Sequence, residues 1–321
     1  MSWVRVIVAS AALAISPARA EDNWPTKPIR FIVPFPAGSA VDVVARLIGQ
    51  RVGARLGQQL IIDNRVGASG SVGALALARS VPDGYTIGLV TASTHAVAVS
   101  LNAHLPYDPL KDFAPIGVIG NSPYVLVVYP GVPVESVAEL VALAKAKPGA
   151  LNYASVGPAS LANLAVELFS HSTQVRLTHV PYRSSAQALL DLVEGRIQIQ
   201  FGTPGPTLPH IRDGKVRALA VTSAKRLSTL PDVPTFMEAG VPGYEASLWM
   251  GLMAPTGTPA AIISRLNGEL NAFLASPDGR SSLAAQGVEP EPGTATALQE
   301  RIRTEIEKWH AVIKRAGITA E

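Results

Sequence analysis

Apolar, β-forming runs alternate with helix-period segments from residue 29 onward, and this alternation restricts the possible folds more than any other feature of the chain. Residues 29–35 form a short apolar run, 36–40 a breaker cluster, and 41–57 carry apolar residues at helical spacing. Val41, Val44, Leu47, Ile48, Val52 and Leu56 fall on one stripe that should face a sheet. A second strand at 59–64, a glycine-rich turn into a helix at 66–81 and a third strand at 85–91 complete a strand-helix-strand-helix-strand series. Such a series implies an α/β, mostly parallel, doubly wound sheet. A second series with the same rhythm begins near residue 125 and runs to about 223, with Ser136 and Glu139 spaced as a capping box at one helix start. A Pro- and Gly-rich stretch at 230–246 then leads to two C-terminal amphipathic helices, expected at 259–275 and 296–316. If those helices pack on the first unit, the chain crosses twice between two lobes. The expected division is 21–124 with 246–321 in lobe one, and 125–245 in lobe two.

Ahead of this series lies a segment of a different kind. Arg5 supplies a basic start, residues 6–15 an apolar run and Ala18-Arg19-Ala20 a small-x-small site, the pattern of an export leader cleaved after Ala20. An apolar run of that length falls well short of the roughly twenty residues that span a bilayer. Losing Arg5 and Arg19 takes the formal charge from +3 to +1, which leaves no basic excess to hold nucleic acid or anionic lipid. The chain has no cysteine, which excludes disulfides, thiolate metal sites, a cysteine nucleophile and a lipidated N-terminal cysteine.

The standard spacings of catalytic and cofactor motifs are missing: no G-x-S-x-G, S-x-x-K, H-E-x-x-H, G-x-G-x-x-G or P-loop occurs. The six histidines are scattered without i, i+4 pairs, so no metal or cofactor is expected. Small, hydroxyl-bearing loops do occur after strands and before helices, where open α/β sheets bind ligands and where helix N-termini favour anions. The first is Phe35, Pro36, Ala37, Gly38, Ser39 and Ala40, with Ser39 and Asp42 also fitting a helix cap. The second, Gly67 to Ser71, follows Asn64 and Arg65, where Arg65 reads equally as a surface or inter-loop ion-pair residue. The third, from Thr91 to His95, offers the hydroxyls of Ser93 and Thr94. In the second series, Ser155, Gly157 and Ser160 can face the first loop across a cleft, although Ser160 reads equally as an N-cap.

The order of these segments resembles the Bug-type receptors of tripartite tricarboxylate transporters over essentially the whole mature chain. The carrying phrases include IRFIVPFPAGSAVDVVARLIG, PDGYTIGLVT, HVPYRSSAQALLDLVEGRIQIQF and TSAKRLSTLPDVPTFMEAGVPGYEA. The resemblance implies a Venus-flytrap periplasmic binding protein, a monomer whose two α/β lobes close over a carboxylated solute and present it to one small and one large membrane subunit. It implies no catalytic residue. It also implies a carboxylate held by main-chain groups and waters at the loop Pro36–Ala40, facing Ser155, Gly157 and Ser160, with Tyr182, Phe201 and Thr203 as pocket wall.

Two departures bear on the solute. Where family members commonly read P-P-G-G, this chain has Pro36-Ala37-Gly38-Ser39, which trades backbone freedom for a hydroxyl. Where many read F-D-N, it has Phe201-Gly202-Thr203, which removes a carboxylate that could pair an ammonium group. The expected ligand therefore lacks a free amine, as a dicarboxylate or aromatic carboxylate does, and Gly202 leaves room for a bulkier solute. Two rivals are a ligand sensor feeding a membrane kinase and a secreted α/β hydrolase; the missing nucleophile elbow counts against the second.

Overall fold

The computed structural model describes residues 23–102, 104–157 and 160–316; the expected leader at 1–20 lies outside the described residues. The strands are β1 (Ile29–Val33), β2 (Leu60–Asn64), β3 (Thr86–Thr91), β4 (Phe113–Pro123), β5 (Val125–Val128), β6 (Asn152–Ser155), β7 (Thr178–Pro181), β8 (Ile199–Gly202), β9 (Arg217–Val221), β10 (Ser247–Pro255) and β11 (Glu289–Pro290). The helices are α1 (Ala40–Leu56), α2 (Ser71–Ala78), α3 (Ala98–Leu101), α4 (Val137–Ala146), α5 (Leu161–Thr173), α6 (Ser185–Val193), α7 (Pro204–Arg212), α8 (Ala260–Ala275), α9 (Pro277–Ala285) and α10 (Ala295–Ala316).

The strands form two sheets, ordered β11-β4-β10-β3-β1-β2 and β7-β6-β8-β5-β9. In the first, β1 pairs in parallel with β2 and β3, and in the second β6 pairs in parallel with β7 and β8. These parallel cores follow from the alternation of strand and helix. Both sheets are nevertheless mixed rather than mostly parallel, and the reason is topological. The strand that enters each sheet directly after a crossing inserts between two others and runs against both: β5 between β8 and β9, and β10 between β3 and β4.

The stripe on α1 buries Val41, Val44, Ile48, Val52 and Leu56, with Leu47 packed partly against the same core. Ser39 caps its N-terminus and Gly57, at φ 72°, closes its C-terminus in the left-handed conformation. The C-terminal helices α8 and α10 pack on the first sheet through β4. The chain therefore passes between sheets twice, at Tyr124 and along 222–246. Both passages meet at Thr222, which is fully buried. Its hydroxyl accepts from Tyr124 N at 2.8 Å and donates to the carbonyl of Ala246, while its amide donates to Tyr124 O at 2.9 Å.

Candidate functional site

The carboxyl ends of β1 and β3 from one sheet and of β6 and β8 from the other converge on a cavity of about 420 Å³. This is where open α/β sheets place ligands, because the loops there lead into helix N-termini with free N–H groups.

The loop after β1 is held from behind by Asp42, which is almost fully buried. Its carboxylate accepts from Gly38 N at 2.9 Å, Arg46 Nε at 2.8 Å and Asn64 Nδ2 at 2.8 Å, and Asn64 Nδ2 also donates to Phe35 O at 2.9 Å. Burial alone would raise the Asp42 pKa, but the hydrogen bonds from Arg46, Asn64 and Gly38 together hold it below the usual carboxylate range. Asp42 is thus a loop anchor that spends the Gly38 N–H. Ser39 Oγ accepts from Asp42 N at 3.2 Å and keeps its own hydrogen to donate. The N–H groups of Ala40 and Val41, in the first turn of α1, have no intrahelical acceptor, and both residues line the cavity.

The loop after β2 turns through left-handed conformations at Ala68 (φ 44°), Ser69 (φ 52°) and Gly70 (φ 97°). Non-glycine residues in this region carry strain of a kind that clusters at ligand sites. Val66, Gly67, Ser69 and Gly70 all line the cavity. A Cβ on Gly70 would lie 2.6 Å from Thr94 Cγ2, so the close approach as well as the positive φ requires glycine here. Arg65 points elsewhere, pairing with Asp63 at 3.0 Å.

After β3 the chain makes a π-helical turn, Ser93–Val97, a geometry frequent at functional sites. Ser93 reaches the cavity. Thr94 is fully buried behind it, its hydroxyl bonded to Thr91 N and O at 3.1 Å each and to His95 Nδ1 at 3.0 Å. His95 sits among Tyr107 and Phe113, and complete burial lowers its pKa to about 3, so it is neutral.

On the opposing side, Ser155 lies 2.7 Å from His179 Nε2 and also donates to Gly157 O at 3.2 Å. Ser160 caps α5, accepting from Asn163 N at 3.2 Å, and gives its hydroxyl hydrogen to Gly157 O at 2.7 Å. Both of its hydrogen-bonding roles are therefore committed within the protein. Ser184 caps α6 by accepting from Gln187 N at 3.2 Å. Ser184, Ser185 and Ala186 line the cavity together with Arg183, which forms no hydrogen bond or ion pair among the described residues. Tyr124 and Phe201 supply apolar wall, and Phe201 stacks on Phe236 with ring centroids 5.7 Å apart.

Of the residues read from the sequence, Phe35, Pro36, Ala37, Gly38, Ser39, Ala40, Ser93, Ser155, Ser160, Phe201 and Thr203 line the cavity. Thr94, Gly157 and Tyr182 stand off its wall. Thr94 is consumed by the π-helical turn, Gly157 accepts from Ser155 and Ser160, and Tyr182 turns away to donate to Asp191 at 2.7 Å. Gly202 also lines the cavity, although Thr207 Oγ1 lies 2.6 Å from where its Cβ would be and fills that direction. Arg183, Ser185 and Gln200 are wall residues that the sequence reading does not single out. The first two extend the Ser184 cap, which was available as a signal. Gln200 sits inside a strand and gives none. Among the lining residues Arg183 is the only charged side chain, and no Asp or Glu faces the cavity.

Residues 44–318 match the family described as tripartite tricarboxylate transporter family receptor. The chain is 38% identical to Protein BugT of Bordetella pertussis over 318 residues, covering 99% of this chain and 97% of that one. Among solved structures it is similar to R. palustris Rpa4515 with adipate, at 40% identity and a TM-score of 0.89, over 93% of this chain and 100% of that one. MatC (Rpa3494) from Rhodopseudomonas palustris with bound malate is 33% identical, with a TM-score of 0.83 over 90% and 100% of the two chains.

Proposed function

The chain belongs to the tripartite tricarboxylate transporter receptor family, a family of solute receptors rather than enzymes, and from that premise we propose that it captures a small carboxylate lacking a free amine. The observation that carries this reading is the polarity of the cavity. Free amides at the start of α1, the hydroxyls of Ser39 and Ser184, and Arg183 surround it, with no carboxylate in the wall. Helix N-termini and an unpaired guanidinium favour an anion, whereas an ammonium group taken from water would find no countercharge. Adipate and malate, bound by two of the similar structures, are carboxylates of this kind. The mainly apolar remainder of the wall, including Phe35, Tyr124, Phe201 and Leu248, suits a dicarboxylate chain or an aromatic ring.

The leader pattern at 1–20 supports export to the periplasm, and family membership supports delivery to a small and a large membrane subunit. No helix among the described residues is long and apolar enough to cross a membrane. Strand membership supports lobes of 21–124 with 246–321 and of 125–245, hinged where Tyr124, Thr222 and Ala246 meet.

The test is a thermal-shift panel on the chain from Glu21, unfolded and refolded to strip carried ligand. A ligand that binds only the native state raises the midpoint. Dicarboxylates or aromatic carboxylates are expected to raise it, with aspartate and glutamate inert. Tight binding of aspartate or glutamate would contradict the amine-free class, and silence from every carboxylate would contradict the reading as a whole.

A further inference from the structure

Arg183 carries the one formal charge in the cavity wall, and nothing in the protein balances it. It lies between the end of β7 at Pro181 and Ser184, the cap of α6, so neither a strand ladder nor a helix claims it. Asp191, the acid of α6, is already taken by Tyr182 at 2.7 Å and Arg196 at 2.8 Å. Arg183 itself is exposed and makes no hydrogen bond or ion pair among the described residues. A guanidinium cannot shed its proton to escape this position.

Around Arg183 the wall is built from helix starts. Ser39, Ser160 and Ser184 all line the cavity, and each accepts from the N–H of the third residue of the helix it caps, in α1, α5 and α6. The first two amides of each helix are left without an intrahelical acceptor. These belong to Ala40, Val41, Leu161, Ala162, Ser185 and Ala186, and all six residues line the cavity. Each helix start contributes about half a positive charge, so three of them with Arg183 supply about 2.5 in all. No carboxylate of the protein faces them. One ligand carboxylate brings a single negative charge and roughly four acceptor sites, which falls short of both the charge and the donors present.

We propose that Arg183 is a specificity-determining residue that pairs with a second carboxylate of the solute, so that the receptor selects dianions over monocarboxylates of the same length, aromatic ones included. The proposal rests on the carboxylate-receptor reading and narrows its ligand class. The first carboxylate takes the free amides at the start of α1, and the second takes Arg183 and the start of α6 on the opposing side. A neutral group in place of that second carboxylate would cover the guanidinium without supplying a countercharge.

The experiment compares diacids with their half-amides, in which one carboxylate becomes a neutral group of similar size, by titration calorimetry on the refolded chain. The pairs are succinate with succinamate, adipate with adipamate, and terephthalate with 4-carbamoylbenzoate. The wild type should bind at least one diacid about 10-fold or more tightly than its half-amide. Arg183→Gln removes the charge at an exposed position and should bring that ratio within about threefold, the remainder being the pull of the helix starts. Equal affinities within every pair that binds the wild type would overturn the proposal and leave the receptor reading intact. A ratio that survives Arg183→Gln, whether or not both affinities fall, would overturn it as well. If neither diacids nor half-amides bind, the receptor reading fails and this proposal falls with it.

Discussion

Asp42 and His95 are both buried beside the cavity and both titratable, yet they do opposite electrostatic work. Asp42 stays charged because Gly38, Arg46 and Asn64 all donate to it, and it converts that charge into a fixed shape for the loop at Gly38. Half of this is legible in the sequence, since a cap spans only three residues and Ser39 with Asp42 fits the pattern. The bonds from Asn64 are not legible, because they depend on β2 lying beside β1. His95 stays neutral because nothing offsets its burial. Its folded pKa, about 3, lies below the 6.5 of an unperturbed histidine, so between those values the unfolded chain binds a proton that the native one refuses. Its contribution is therefore complete above about pH 6.5 and declines as pH falls toward 3, at up to ~1.4 kcal/mol per pH unit. Denaturant unfolding at pH 5 and pH 7 should show wild-type stability lower at pH 5 by about 2 kcal/mol from this group. His95→Phe should flatten that difference, and an unchanged slope would remove His95 from the account.

At the scale of elements, the loops entering the cavity are positioned by packing as much as by caps. Gly73 of α2 sits against Pro34, with room for no Cβ, and Gly70 sits against Thr94 and Phe35. Gly70→Ala adds a methyl group where the backbone holds φ 97° and where Thr94 cannot retreat, its hydroxyl being tied on three sides. The expected result is a shifted Phe35 and an affinity for carboxylate reduced about 10-fold or more, with thermal stability lowered by only ~1–3 kcal/mol. Wild-type affinity in the alanine variant would show that this turn does not shape the site. Strands and helices with clear periodicity, such as α1, β3 and α4, fall where the sequence places them. The long strand β4 is not legible in the same way, because Pro115, Gly117, Gly120 and Pro123 read as breakers. The strand bends past them through register shifts against β10. Nor does the antiparallel insertion of β5 and β10 leave a local mark, since it is a property of the crossings.

At the scale of the whole molecule, one cavity gathers loops from two sheets, and the two crossings between those sheets are tied together at one buried threonine. The free amides at α1 stand on one side and Arg183 with the α6 cap on the other, so a ligand touching both would draw the lobes together, a hinge closure of a familiar kind. The sequence exposes the two ends of this arrangement as loops before helices. It does not expose Arg183 or Gln200 as wall, because nothing nearby in the chain shows which way a side chain next to a cap or within a strand will face. The most direct test of the central claim is titration calorimetry of the refolded chain with dicarboxylates, repeated on Ala186→Trp. Ala186 is an exposed residue of the cavity wall, so the larger ring can occupy the cavity without disturbing the core. The account predicts one carboxylate bound per wild-type chain, and at least about 10-fold weaker binding in the variant with its melting temperature retained. Undiminished binding in a folded Ala186→Trp chain would place the carboxylate somewhere other than this cavity and contradict the account.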